Sequence, residues 1–229
     1  MKTKLFFLLL FITTFISCKK VVDVTETEVN AVQKVLNFYN GKCLRSKGFK
    51  IKNSINSRNF ELEMSESELL EHNSTKLKLH SANIAYLFYS NLKDEKNNYD
   101  EIIVKVNLKN GSSEEFIYTS KELQEVENLQ IEVLKINELI VNKDYENLAL
   151  QFESSINIDK ENVAELFNSL EKQYGKILKT QFQGFELVET NNYGKVTKIG
   201  EALMLKNINP SMNLIFSREN KKLISIEFP

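Results

Sequence analysis

The chain has 229 residues, enough for one large domain or two small ones. Apolar residues make up 42% and charged residues 27%, a globular mixture that excludes a disordered chain or a coiled coil. Lys and Arg number 30 against 31 Asp and Glu, so the net charge of −1 leaves no overall footprint for nucleic acid, and 2 Cys cannot build a disulfide framework or a structural zinc site.

Lys2 and Lys4 precede an unbroken apolar run over residues 5–12, followed by Thr13-Thr14-Phe15-Ile16-Ser17-Cys18. A spanning helix needs about 20 apolar residues, and this run stops short of that before Lys19 and Lys20. Residues 1–17 therefore read as a signal peptide. Phe15-Ile16-Ser17-Cys18 resembles the lipobox of bacterial lipoproteins, with an apolar residue, a small residue and then the Cys in order. The resemblance implies that Cys18 is acylated and becomes the new N-terminus. Each buried methylene of an acyl chain contributes about 0.8 kcal/mol, so several chains hold a folded body to the cell envelope. Lys19, rather than Asp, after the Cys implies by the same resemblance an outer-membrane destination, with the folded part in the aqueous phase at the periplasmic face or cell surface.

Residues 18–24 are then the lipidated Cys and a tether. Without residues 1–17 the body is mildly acidic, so anchoring is expected from the acyl chains beside Lys19 and Lys20 and not from the body's own surface. Cys43 remains as a lone thiol with no His near it in sequence, and it reads as a small buried hydrophobe.

Thr25-Glu26-Thr27-Glu28 is a capping box, and Val29, Val32, Val35, Leu36 and Tyr39 continue it as the apolar stripe of a helix ended by Asn40-Gly41. Residues 49–52 and 59–64 alternate apolar and polar side chains and read as half-buried strands. Ser65-Glu66-Ser67-Glu68 opens a helical region to about residue 92, broken near His72-Asn73-Ser74. Ile102, Val104, Val106 and Leu108 alternate towards Asn110-Gly111, and Phe116-Ile117-Tyr118 follows. A tight hairpin with positive φ at both Asn110 and Gly111 is expected there.

Thr119-Ser120-Lys121-Glu122 caps a helix carrying Val126, Leu129, Val133, Ile136 and Ile140, which joins the two halves without a Pro- or Gly-rich linker. A further helix with Val163, Leu166, Phe167, Leu170 and Tyr174 on one face stops at Gly175. Strands are predicted at about 177–189, 195–206, 211–217 and 223–228. The fold class is thus α+β, built as two small units over residues 25–122 and 123–229. In the second, helices pack on a curved antiparallel sheet. The Asn142-Lys143-Asp144-Tyr145-Glu146 turn, the Leu170…Tyr174-Gly175 helix end and the closing Leu223-Ile224-Ser225-Ile226-Glu227-Phe228 strand carry a resemblance to the nuclear-transport-factor-two-like, or cystatin-like, fold. Residues 123–229 also resemble bacterial domains of unassigned function with that fold. The resemblance implies a cone-shaped sheet and no functional residue.

Chemistry is sparse. His72 and His80 lie across the expected helix break without a third metal ligand, and both are expected to be solvated. No phosphate loop, Gly-x-Ser-x-Gly elbow or Cys-x-x-Cys is present. Glu61 and Glu63 share the outer face of a strand, and the aromatics Tyr86, Phe88, Tyr89, Phe182, Phe185 and Phe216 read as core. No cofactor is expected. The reading is a lipid-anchored envelope protein acting as a non-catalytic binding or scaffold module. Its expected partners are the membrane, through acyl chains on Cys18, and an envelope protein or small apolar ligand, with no nucleic acid. The alternative is a periplasmic enzyme or small-ligand carrier with a pocket in the second unit. Because residues 123–229 hold no His, that pocket would set an acid against Tyr145, Tyr174 or Tyr193, and Tyr145 and Tyr174 are the candidate pocket residues.

Overall fold

The computed structural model describes residues 24–52 and 55–229; the segments read as a signal peptide over 1–17 and as Cys18 with its tether up to residue 23 lie outside the described residues. Thr25 caps α1 (Glu26–Tyr39) through the reciprocal box that the sequence predicts. Its hydroxyl accepts the Glu28 N–H at 3.2 Å, and the Glu28 carboxylate accepts the Thr25 N–H at 2.9 Å. Ala31, Val32, Val35 and Tyr39 are buried, but Val29 is 43% exposed and off the expected stripe. The inward place in the first turn belongs to Glu28, which also accepts the Tyr99 hydroxyl and pairs with Lys47 at 2.9 Å. An acid so fully partnered can lie inside, and it turns Val29 outwards.

β1 (Lys42–Lys52) and β2 (Ile55–Ser65) form a long antiparallel hairpin, and α2 (Glu68–His72) follows. A short 3-10 turn separates it from α3 (Leu77–Ser90), so the predicted break is present. β3 (Glu101–Asn107) and β4 (Ser113–Thr119) complete a sheet of order β1-β2-β3-β4 in which β2 and β3 run parallel. A parallel pair needs a crossover, and α3 supplies it. Phe60, Leu62, Met64, Ile102, Val104 and Val106 point into the core, while Glu63 on the outer face meets Lys105 at 3.2 Å.

The β3–β4 turn differs from expectation. Gly111 alone has positive φ, at +88°, and Asn110 does not. The Gly111 N–H donates to the Leu108 carbonyl at 3.0 Å and the Leu108 N–H to the Ser112 carbonyl at 2.9 Å, closing a three-residue loop with one left-handed residue rather than a two-residue turn with two.

Thr119 caps α4 (Ser120–Asn142), whose buried face carries Leu123, Val126, Leu129, Val133, Ile136 and Ile140. The expected division between residues 122 and 123 falls in its first turn, and one continuous apolar core runs through both halves. α5 (Tyr145–Ala149) and α6 (Lys160–Tyr174) come next, the latter stopped at Gly175 as predicted, although Leu166 lies on its exposed side. β5 (Ile177–Thr190), β6 (Gly194–Leu205), β7 (Ser211–Ser217) and β8 (Leu223–Glu227) form an antiparallel meander. β5 is bent by two bulges, one between Phe182 and Gly184. The fold is therefore α+β, with helices against a curved second sheet.

α3 is buried nearly all round, as a helix packed on several sides must be. At its N-terminal end the backbone lies directly on β5. A Cβ on Gly184 would stand 2.1 Å from the Leu79 carbonyl oxygen, and Gly184 has φ +145°. Its cross-strand partner Gly200 faces the Leu79 side chain. Gly184→Ala therefore combines a backbone clash with strain and should destabilise the protein by about 3 kcal/mol or more, read from the urea midpoint. Gly111→Asn, at an open left-handed site, should cost less than about 1 kcal/mol in the same assay.

Candidate functional site

Strand alternation gives the second sheet two different faces. Thr197, Ile199, Glu201, Leu203 and Leu205 of β6 share one face with Met212, Leu214 and Phe216 of β7, and that face belongs to the main core. Val196, Lys198 and Gly200 share the other with Ile215 and Asn213. The start of α3 covers the Gly184–Gly200 end of this second face, and Lys78 pairs with Glu186 at 3.5 Å beside it. The remainder is a groove of about 570 Å³. Its floor is Val196, Ile215 and Ile224, a small apolar cluster with Ile156 packed against it. Glu186, Lys198 and Glu227 place charge around that floor, and the β5–β6 turn brings Tyr193 to it. An apolar floor with a few polar groups, at several hundred Å³, is how small-molecule sites are built.

Of the three tyrosines singled out from the sequence, Tyr193 is the one placed in this groove with acids. Tyr145 instead stacks on Phe167 with ring centroids 6.0 Å apart, its hydroxyl buried without a hydrogen-bond partner among the described residues. Burial, and then the Glu171 carboxylate, raise that hydroxyl's pKa. Tyr174 packs half-buried against the core, and neither it nor Tyr145 lines the groove.

The core face holds a group that composition and motif give no reason to single out. Glu201 is 2% exposed, and the Asn137 amide of α4 and the Thr180 hydroxyl hydrogen-bond its carboxyl. Among the described residues Glu201 Oε2 and Asn137 Oδ1 are both buried without a hydrogen-bond partner. Burial drives the Glu201 pKa up to about 7 against those two hydrogen bonds, in keeping with a neutral acid. The signal was legible: alternation in β6 puts an acid at an inward position between Ile199 and Leu203.

His80 is also a correction. It is 4% exposed rather than solvated, because the spacing of Leu77, His80, Ile84 and Phe88 turns it inwards. The Tyr39 hydroxyl lies 3.3 Å from its Nδ1 and donates to its carbonyl at 3.2 Å, while Asn83 Nδ2 donates to that hydroxyl at 2.9 Å. Burial first, and then Lys76, hold the imidazole pKa below its ordinary value. His72 is exposed, as expected. Burial pushes the half-buried Cys43 thiol up to about 12, with Arg45 opposing and Glu63 adding, so its surroundings hold it in the unreactive thiol form. Among the described residues no group of His, Cys, Asp and Glu is placed to hold a metal ion.

Glu201 links protonation to stability. Between about pH 4.5 and 7 the unfolded chain releases this proton and the folded chain keeps it, so the stabilising effect of burying the neutral acid is lost as pH rises through that window. Glu201→Gln should match the wild type near pH 4 and exceed it by a few kcal/mol at pH 8, measured by urea unfolding at each pH. His80 contributes the opposite slope below its ordinary pKa, but it does so in both proteins and drops out of the difference. The chain matches no protein-family model, no curated protein and no solved structure.

Proposed function

We propose that this chain is a lipid-anchored protein of the bacterial cell envelope whose folded body binds a small apolar ligand in the groove on the open face of the second sheet. The groove itself carries the binding half of this reading: Val196, Ile215 and Ile224 offer an apolar floor, and Glu186, Lys198 and Glu227 can hold a polar end. The anchoring half rests on the apolar run of residues 5–12 and on Phe15-Ile16-Ser17-Cys18. No helix among the described residues is long and apolar enough to cross a membrane. With Cys18 acylated the body stays at the envelope, and an outer-membrane destination accords with Lys19.

Cys18→Ala should remove the acyl mass and release the body from the membrane fraction without shifting its melting temperature, since the core begins at Ala31. Retention in membranes after a salt wash would contradict the anchor. For the groove, saturable one-site binding of an anilinonaphthalene sulfonate dye is expected. It should weaken about tenfold or more in Val188→Lys, a half-exposed groove residue, without loss of stability. A second reading, turnover of the ligand, is favoured by Tyr193 sharing the groove with Glu186 and Glu227. An unbiased metabolite screen separates the two. Turnover lost in Tyr193→Phe supports the enzyme, and ligand retention without turnover supports the binding module.

A further inference from the structure

Net charge hides a local excess. Residues 42–60 hold Lys42, Arg45, Lys47, Lys50, Lys52 and Arg58 and no Asp or Glu, in a chain whose overall balance is −1. The described ones among them belong to β1 and to the first half of β2. β3 pairs with β2 only from Asn59 onwards, so the far part of the hairpin projects past the sheet as a two-stranded arm. Phe49 is 59% exposed and Ile51 70% exposed on that arm, large apolar side chains where an isolated hairpin gains nothing from showing them to water. Lys50 lies between them on the other face of the strand, and Arg45 precedes Phe49 by four residues on the same face, opposite Leu62 at the base of the arm. Arg45 and Lys50 make no ion pair among the described residues, whereas Lys42 and Arg58 pair with Glu66 and Asp100.

The base of the arm lies against the start of α1. Lys47 stands opposite Phe60 and reaches Glu28 in the first turn of α1 at 2.9 Å, so the odd-numbered residues of β1 face the helix layer. Phe49 and Ile51 follow on that face, about 7 and 13 Å further along the strand at about 3.3 Å per residue. Thr25, where α1 begins, lies no more than about 25 Å of extended chain from Cys18. A surface that holds the acyl chains of Cys18 is therefore within reach of the arm.

We propose that the β1–β2 arm is a second membrane contact, in which Phe49 and Ile51 enter the interfacial region and Arg45 and Lys50 engage anionic phospholipid headgroups. It rests on the reading of Cys18 as the anchor, and it adds an orientation: the arm faces the bilayer, and the anchored body is held at two points rather than one. The chemistry is that of basic-apolar membrane-binding segments, in which apolar insertion and headgroup attraction act together and one acyl chain alone binds only reversibly. The mild acidity of the body as a whole does not oppose this, since charge acts on a lipid surface only within about a Debye length.

The chain contains 0 Trp, so Phe49→Trp introduces a sole reporter. The acylated protein, purified as its host processes it, is reconstituted into phosphatidylcholine vesicles with and without phosphatidylglycerol, and acylation of Cys18 is read independently by mass. The expected result is blue-shifted indole emission from the Phe49→Trp protein, quenched by brominated acyl chains when phosphatidylglycerol is present. A Tyr193→Trp control on the second sheet should stay unquenched. Adding Arg45→Glu with Lys50→Glu to the reporter protein should weaken the phosphatidylglycerol-dependent quenching about tenfold while leaving the melting temperature unchanged. An unquenched indole in the Phe49→Trp protein whose Cys18 is acylated overturns the arm and leaves the anchor standing. Quenching by phosphatidylglycerol vesicles on a protein whose Cys18 carries no acyl chain supports the arm and removes the anchor. An emission shift that follows protein concentration and ignores lipid charge means that a second copy covers Phe49, and overturns the proposal.

Discussion

The carbonyl of Leu79 lies where the Cβ of any residue but glycine at position 184 would be. That one close approach sets the relation between the two halves of the molecule. α3 is the crossover of the first sheet, fixed there by the parallel pairing of β2 and β3, and its backbone can lie on the second sheet only where β5 offers bare backbone. The bulge between Phe182 and Gly184 bends β5 at that point, and Gly200 across the ladder leaves room for the Leu79 side chain. Away from this crossing the contacts become ordinary side-chain packing, Tyr86 on Phe182 and Tyr118 on Phe185, with ring centroids 5.1 and 5.7 Å apart.

What the second sheet presents to solvent follows from the same crossing. One face is sealed in the main core, where Arg218 clamps Glu125 of α4 with two bonds of 2.6 and 2.7 Å and Asn137 of the same helix meets Glu201. The start of α3 occupies one end of the other face and leaves the end around Val196, Ile215 and Ile224 open as the groove. In the first half Glu28 joins the start of α1 to the first sheet, since it caps α1 and holds Tyr99 and Lys47 together. The groove and the arm are thus on separate elements, so a ligand in one and a lipid surface at the other do not compete for side chains.

Most of the elements were legible in the sequence because their signals are local. The Thr25–Glu28 and Thr119–Glu122 boxes mark helix starts within four residues, and the alternation of β3 and β6 needs only a short window. The parallel join of β2 to β3 was not legible, since pairing direction depends on where α3 returns the chain. Reading His80 as solvated failed because a polar residue amid small and apolar neighbours can be buried when a residue distant in sequence supplies a partner, here Tyr39, whose hydroxyl Asn83 holds in turn. Glu201 and the basic hairpin did leave signals, an acid at an inward strand position and a run of cations without acids, but counting charge over the whole chain averages both away. The groove needs four strands in register to exist, and no single segment announces it.

The crossing at Leu79 and Gly184 should make the two halves one cooperative body. Native-state hydrogen exchange, followed amide by amide in α3 and β6 against low concentrations of urea, tests this most directly. The most protected amides of both elements are then expected to exchange with the same free energy and the same urea dependence, equal to those of global unfolding. Exchange in β6 through an opening of lower free energy and smaller urea dependence, while α3 stays protected, would contradict it.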